Sequence, residues 1–200
     1  RNLSELADLE ELVISLGASV WRLQLGSPVG RLARHRDLVI TPEDLPAVAD
    51  FTVAAKRRQR VKISVGDNIG YFSACESELR ATANRAGLDF WCGCSAGCMT
   101  IGIEADGAVK GCLSLQADAF VEGNIRERSL REIWEAPGAF AYTRRFTCED
   151  LKGHCRGCDL GEICRGGCTF MAYGATGTAH DNPYCLYGLE RRKQAAGRES

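Results

Sequence analysis

Five cysteines near the carboxyl end, Cys155, Cys158, Cys164, Cys168 and Cys185, stand in the spacing C-x2-C-x5-C-x3-C-x16-C. Four more lie upstream: Cys92, Cys94, Cys98 and, after a GAVKG turn, Cys112. Thiolates two or three residues apart on tight turns converge on one soft metal centre. A tetrahedral centre takes four ligands, so nine thiols imply two sites with one thiol over. Five neighbouring thiols are too crowded for one centre. The simplest partition gives one site Cys155, Cys158, Cys164 and the distant Cys185. Cys168 then crosses to a second site with Cys112 and two of the trio Cys92, Cys94 and Cys98. Spacing does not say which two. Interleaving of this kind occurs in two-cluster ferredoxins. Spacing also does not choose between zinc and iron–sulfur, because four thiolates suit both.

Disulfides are the competing use of so much cysteine. The count of 11 is odd, the thiols are clustered at metal-ligand spacings, and no export signal is visible. The net charge of -1 gives no electrostatic case for nucleic acid or an anionic membrane surface. No apolar run reaches transmembrane length, so the expected location is the cytoplasm. The chain begins at Arg1 and is expected to be a portion of a longer protein.

The first 89 residues carry α/β patterning. Residues 2–17 predict an amphipathic helix capped by Asn2, with Glu5 as capping-box acid and Leu6, Leu9, Val13 and Leu16 as its buried stripe. Residues 18–25 predict a strand with Trp21, Leu23 and Leu25 on one face and Arg22 and Gln24 on the other. A second helix starts at Thr41 with Pro42 at its first position, buries Leu45, Val48, Ala49 and Val53, and ends in the solvated charge run of residues 56–60. Residues 61–65 predict a second strand. A third helix, from Ser73 with Glu76 as its capping-box acid, stops near Gly87. This order implies parallel strands with crossover helices. Two such strands need further strands beside them.

Beyond Phe90 glycine and cysteine become dense and the elements short. Residues 101–104 and 108–110 suit a hairpin about Asp106-Gly107. Residues 129–135 suit a short helix stopped by Pro137, with Ile133 and Trp134 packing over the small domain. From Cys148 onward little conventional core is expected, and metal bonds are expected to supply much of the stability.

The cysteine pattern resembles the SPASM domain at the carboxyl end of many radical S-adenosylmethionine enzymes. That family shows a cysteine, a gap, Gly-x4-Cys, a gap, C-x2-C-x5-C-x3-C, a gap and a final cysteine. Cys94, Gly107 and Cys112 fit the first part, and Cys155, Cys158, Cys164, Cys168 and Cys185 fit the rest. Cys92 or Cys98 would be the extra upstream ligand of a fully protein-bound first cluster. The stretches CSAG, IEADGAVKGC, GNIRERSLREIW and NPYC also look like the family. The resemblance covers residues 90–190 most strongly. Residues 1–89 look similar to the carboxyl-terminal portion of the family's partial (β/α) barrel, and residues 191–200 read as a polar tail. The family's catalytic-cluster loop, C-x3-C-x2-C, does not occur. Cys94 and Cys98 give the first step, but Ile101 stands where the third cysteine belongs.

The resemblance implies two auxiliary [4Fe-4S] clusters here. In the complete enzyme it implies a third [4Fe-4S] cluster, S-adenosylmethionine and a 5′-deoxyadenosyl radical that abstracts a substrate hydrogen. This chain alone is not expected to cleave S-adenosylmethionine. With enough cysteine for both sites, electron transfer and fold support are the expected roles of the auxiliary clusters. The expected reaction is modification of a ribosomally made precursor peptide by crosslinking, cyclisation or epimerisation; maturation of a sulfatase or a small cofactor is the alternative within the family. The partners implied are the remaining barrel portion, the peptide and a reductant such as flavodoxin or ferredoxin. Gln24, Gly26, Gly66 and Asn68, at the carboxyl ends of the two strands, are candidate S-adenosylmethionine contacts. Arg156 and Arg165 are candidates for offsetting cluster charge, and His154 for support beside Cys155. His35 and His180 are expected at the surface, Cys75 as a small buried hydrophobe, and Cys148 as a spare thiol. The rivals are a structural zinc module and a simple ferredoxin-like carrier; the long α/β portion argues against the carrier.

Overall fold

A computed structural model describes residues 2–81 and 90–197. Helix α1 (Leu6–Ser15), entered through a 3-10 turn at Leu3–Glu5, leads to strand β1 (Val20–Leu23). Helix α2 (Leu45–Arg58) follows, then strand β2 (Lys62–Val65) and the short helix α3 (Glu76–Arg80). β1 and β2 pair in parallel, with Val20 opposite Lys62 and Leu23 opposite Val65. Alternation along β1 is as expected: Leu23 and Leu25 are buried, while Arg22 and Gln24 are exposed. Along α2, Leu45, Val48, Ala49 and Val53 are buried together with Thr52 and Ala55.

Several local expectations are corrected. Asn2 makes no side-chain cap, and a 3-10 turn takes the place of the first helical turn. Leu16 is the C-cap of α1 and is 74% exposed, so the buried stripe ends at Val13 and Ile14. The charge run that ends α2 is an ion-paired clamp. Arg57 meets Glu78 at 2.7 Å, Arg58 pairs with the buried Glu10, Arg60 pairs with Glu11, and the Lys56 ammonium donates to the carbonyls of Glu78 and Leu79. These contacts tie α2 to the helices on either side of it. The cap at Thr41 forms as a reciprocal box with Asp44. The expected end of the third helix near Gly87 lies outside the described residues.

The second part opens with strands β3 (Gly102–Ile103) and β4 (Ala108–Lys110), the expected antiparallel hairpin. A third strand, β5 (Gly123–Asn124), adds to β4. It is too short to show a period and was invisible to alternation. Five helices follow: α4 (Leu130–Trp134), α5 (Ala141–Arg144), α6 (Gly161–Cys164), α7 (Thr169–Thr176) and α8 (Leu186–Ala196). Residues 191–196, read as tail, therefore continue α8. Ser129 caps α4 in a reciprocal box with Glu132, and Ile133 is fully buried against Val109, Ala139 and Phe140. A helix this short depends on its cap, so Ser129→Ala is expected to cost about 1 kcal/mol. A thermal midpoint unchanged from wild type would show that packing alone holds α4.

The two parts share one core. Met171, Tyr184, Leu186 and Leu189 pack with Leu23, Leu25, Val48, Ile63 and Val65. The Tyr184 hydroxyl also donates to the Ile40 carbonyl at 2.7 Å. No helix among the described residues is long and apolar enough to cross a membrane.

Candidate metal centres

Seven of the nine cysteines line two cavities. One, of about 420 Å³, is lined by Cys155, Cys158, Cys164 and Cys185. The other, of about 380 Å³, is lined by Cys94, Cys112 and Cys168. Cys98 is exposed and lines neither, but it lies on the same turn as Cys94, its N–H donating to the Ser95 carbonyl at 3.1 Å. Cys92 is exposed and lines neither cavity.

Local backbone explains the split. Gly166 and Gly167 both take left-handed conformations, φ 80° and 75°. Such a pair reverses the chain at a cost only glycine avoids. Cys164, at the end of α6, and Cys168, before α7, thus face different cavities. A Cβ on Gly167 would lie 2.7 Å from the Tyr71 ring and from the Asn182 amide, so no other residue fits there.

Tyr71 stands between the cavities. It is buried and packs with Trp91 and Cys164, with Cys94, Cys168 and Cys185 at the margin. Its hydroxyl donates to the Asp67 carbonyl at 2.9 Å and accepts from the Cys168 N–H at 3.0 Å. Asn182 donates its backbone N–H to Cys155 Sγ, and Gly188 donates to Cys185 Sγ, both at 3.4 Å. Trp91 Nε1 donates to the Cys164 carbonyl at 3.1 Å. Glu76 was expected to cap α3 through Ser73. Instead it is buried, accepts from the backbone N–H groups of Phe72 and Trp91, and pairs with buried Arg80 at 3.0 Å. Arg80 in turn donates to the Ile69 and Gly70 carbonyls and lies over the Trp91 ring. This node joins the α/β part to the start of the cysteine-rich part.

The donor chemistry fits a cationic, sulfur-bound centre in each cavity. Burial raises the Cys155 and Cys164 thiols, with smaller contributions from neighbouring negative groups; it pushes Cys168 up to about 12 and Cys185 to about 11. Bare thiolates at such positions are unfavourable, and a bound cation reverses that balance. Among the described residues no three His, Cys, Asp or Glu side chains close on a point as a single ion requires. The sulfurs surround volumes instead. Among the described residues the buried Tyr142 hydroxyl, packed against Gly111 beside Cys112, has no hydrogen-bond partner.

Of the other candidates, Arg156 lines the first cavity, joined by Arg191 and Arg192, which sequence reasoning missed. Arg165 turns away and lies over the Phe146 ring. His154 also lines that cavity, its ring nitrogen 3.0 Å from Asp181. His180 is buried rather than exposed, with Nδ1 3.0 Å from the Arg165 carbonyl. Cys75 is half-buried against the α/β core, and Cys148 is exposed. Gln24 and Gly26 line a separate cavity of about 260 Å³ beside β1. A Cβ on Gly66 would meet Gln24 and Asn68 at 3.0 Å, so three of the four suggested cofactor contacts are neighbours. The Asn68 amide is already engaged at both ends with the Leu25 backbone. Tyr71, Trp91, Tyr142 and Asn182 escaped sequence reasoning because aromatic and amide residues carry no spacing signature.

A crossover α/β unit thus packs on a domain with two cysteine-lined cavities. Residues 92–159 match the SPASM family, an iron-sulfur cluster-binding domain. The relatives that the chain matches are radical S-adenosylmethionine proteins that carry this domain. AdoMet-dependent heme synthase of Methanosarcina barkeri is 29% identical over 203 residues, 94% of this chain and 53% of that protein. PqqA peptide cyclase of Methylocella silvestris is 34% identical over 99 residues, 48% of this chain and 26% of that one. The structure of native anSMEcpe with bound AdoMet and Cp18Cys peptide superposes with a TM-score of 0.59 at 16% identity. That match covers 99% of this chain and 54% of the other, and shows the shared mixed α/β fold. The chain thus spans about half the length of the relatives it matches throughout.

Proposed function

We propose that this chain is the auxiliary-cluster portion of a radical S-adenosylmethionine enzyme, with one [4Fe-4S] cluster on Cys155, Cys158, Cys164 and Cys185 and another on Cys94, Cys98, Cys112 and Cys168. The division of the sulfurs between two cavities, with Cys168 on the far side of Tyr71 from Cys164, carries this reading. Cys98 rather than Cys92 is assigned to the second set because it shares with Cys94 the turn closed by the N–H groups of Cys98, Met99 and Thr100 on the Ser95 carbonyl. The clusters, when bound, supply one-electron chemistry. The chain's own part is to hold them apart, exclude water through Tyr71 and Trp91, and donate backbone N–H groups to Cys155 and Cys185. Gln24, Gly26 and Gly66 are proposed S-adenosylmethionine contacts, with Asn68 supporting them through its grip on Leu25.

We further propose modification of a ribosomally made peptide as the reaction of the whole enzyme. The PqqA cyclase relative and the peptide bound to anSMEcpe support this substrate class. A tetrapyrrole is the second reading, favoured by the match to heme synthase over 94% of the chain. The test begins with metal analysis of anaerobically purified chain. About eight irons and about eight acid-labile sulfides are expected, from two four-iron clusters. Zinc without labile sulfide would sink the proposal. Incubation of the full-length enzyme with S-adenosylmethionine, reductant and either the precursor peptide or a porphyrin then separates the two substrates. Formation of 5′-deoxyadenosine that depends on the peptide supports the first reading, and dependence on the porphyrin replaces it with the second.

A further inference from the structure

We propose that the Tyr142 hydroxyl donates a hydrogen bond to the sulfur of the cluster held by Cys94, Cys98, Cys112 and Cys168, and so raises that cluster's reduction potential. The inference rests on the two-cluster reading given above. A buried hydroxyl without an acceptor is costly and needs an explanation. Among the described residues the Tyr142 hydroxyl has none. Its position is well defined. A Cβ on Gly111 would overlap it, and the same Cβ would lie 2.6 Å from the Gly97 nitrogen and 2.9 Å from the Ala96 carbonyl carbon. The hydroxyl therefore sits where the arm bearing Cys112 passes the turn bearing Cys94 and Cys98. A residue larger than glycine at 111 would displace it.

The ring cannot swing away. Phe120 meets it edge-on at 5.1 Å. The helix that carries it, α5, is bolted to the 94–98 turn: Thr143 Oγ1 donates to the Ala96 carbonyl and Arg144 Nε to the Gly97 carbonyl, each at 2.7 Å. A phenol is protonated at neutral pH and so brings one O–H donor to this position. Among the described residues neither an oxygen nor a cysteine sulfur accepts from it, which leaves a sulfide of the bound cluster as the acceptor. Hydrogen bonds to cluster sulfurs set potential by favouring the more negative, reduced state.

The test is an EPR-monitored redox titration of the anaerobic holoprotein, wild type against Tyr142→Phe, with proton hyperfine spectra in H₂O and D₂O. Removing the hydroxyl should change the reduced-to-oxidised ratio of one cluster about tenfold at fixed potential, a shift of about 59 mV downward. The other cluster should stay put, iron and sulfide contents should match wild type, and one exchangeable proton coupling should disappear. The shifted signal must be the one that Cys168→Ala abolishes. Unchanged potentials in a variant holding both clusters would overturn the inference and leave the two-cluster reading standing. A wild-type protein lacking labile sulfide would overturn both.

Discussion

Cys168→Ala should abolish one cluster and spare the other, cutting iron and sulfide from about eight each to about four. Cys164→Ala should remove the opposite half. The two residues are separated by Arg165, Gly166 and Gly167, yet they line different cavities. Each variant should therefore lose a distinct EPR signal, and the double variant should lose both. The physical cause lies in the two left-handed glycines and in the Tyr71 hydroxyl that holds the Cys168 N–H on the second side. If both variants erase the same signal, the cysteines serve one centre and the partition is wrong. Zinc analysis run beside the spectra checks that no other metal fills the damaged site.

Glu76→Ala should be the most destabilising change outside the cysteines, at about 3–5 kcal/mol. Three donors lose their acceptor at once: the N–H groups of Phe72 and Trp91 and the guanidinium of Arg80. Arg80, 4% exposed, would keep its carbonyl and ring contacts but lose its counter-charge. For a chain of this size the loss corresponds to a drop in thermal midpoint of roughly 6–20 °C. Trp91 would also lose its backbone anchor, so iron should leave the variant faster under a chelator. A midpoint within about 2 °C of wild type would mean that packing of α3, rather than the ion pair, holds the joint.

Much of this architecture could be read from the residues, for reasons that differ by region. In β1 and α2 the burial period is strong, and the expected inward faces are the observed ones. The crossing of Cys168 followed from crowding alone, without knowledge of the turn that produces it. Other features depend on tertiary partners. Glu76 has the pattern of a capping acid, but the arrival of Trp91 and Arg80 turns it into a buried hub. Leu16 continues a helical stripe that has no floor beneath it. The proposed preference for Cys98 over Cys92 has no basis in spacing, since both are exposed and both sit within a few residues of Cys94. The role of Tyr142 needed the close approach at Gly111, which no periodicity announces.

The shared core has a consequence for how this molecule fails. Met171, Tyr184, Leu186 and Leu189 form part of the floor under the parallel strands, and Cys185 sits among them in the chain. Anything that binds only the native state adds its binding free energy to that state. Oxidative loss of iron from the Cys185 site would therefore withdraw support from a sheet that contains no ligand of its own. Damage inflicted by oxygen at one end would be felt as melting at the other.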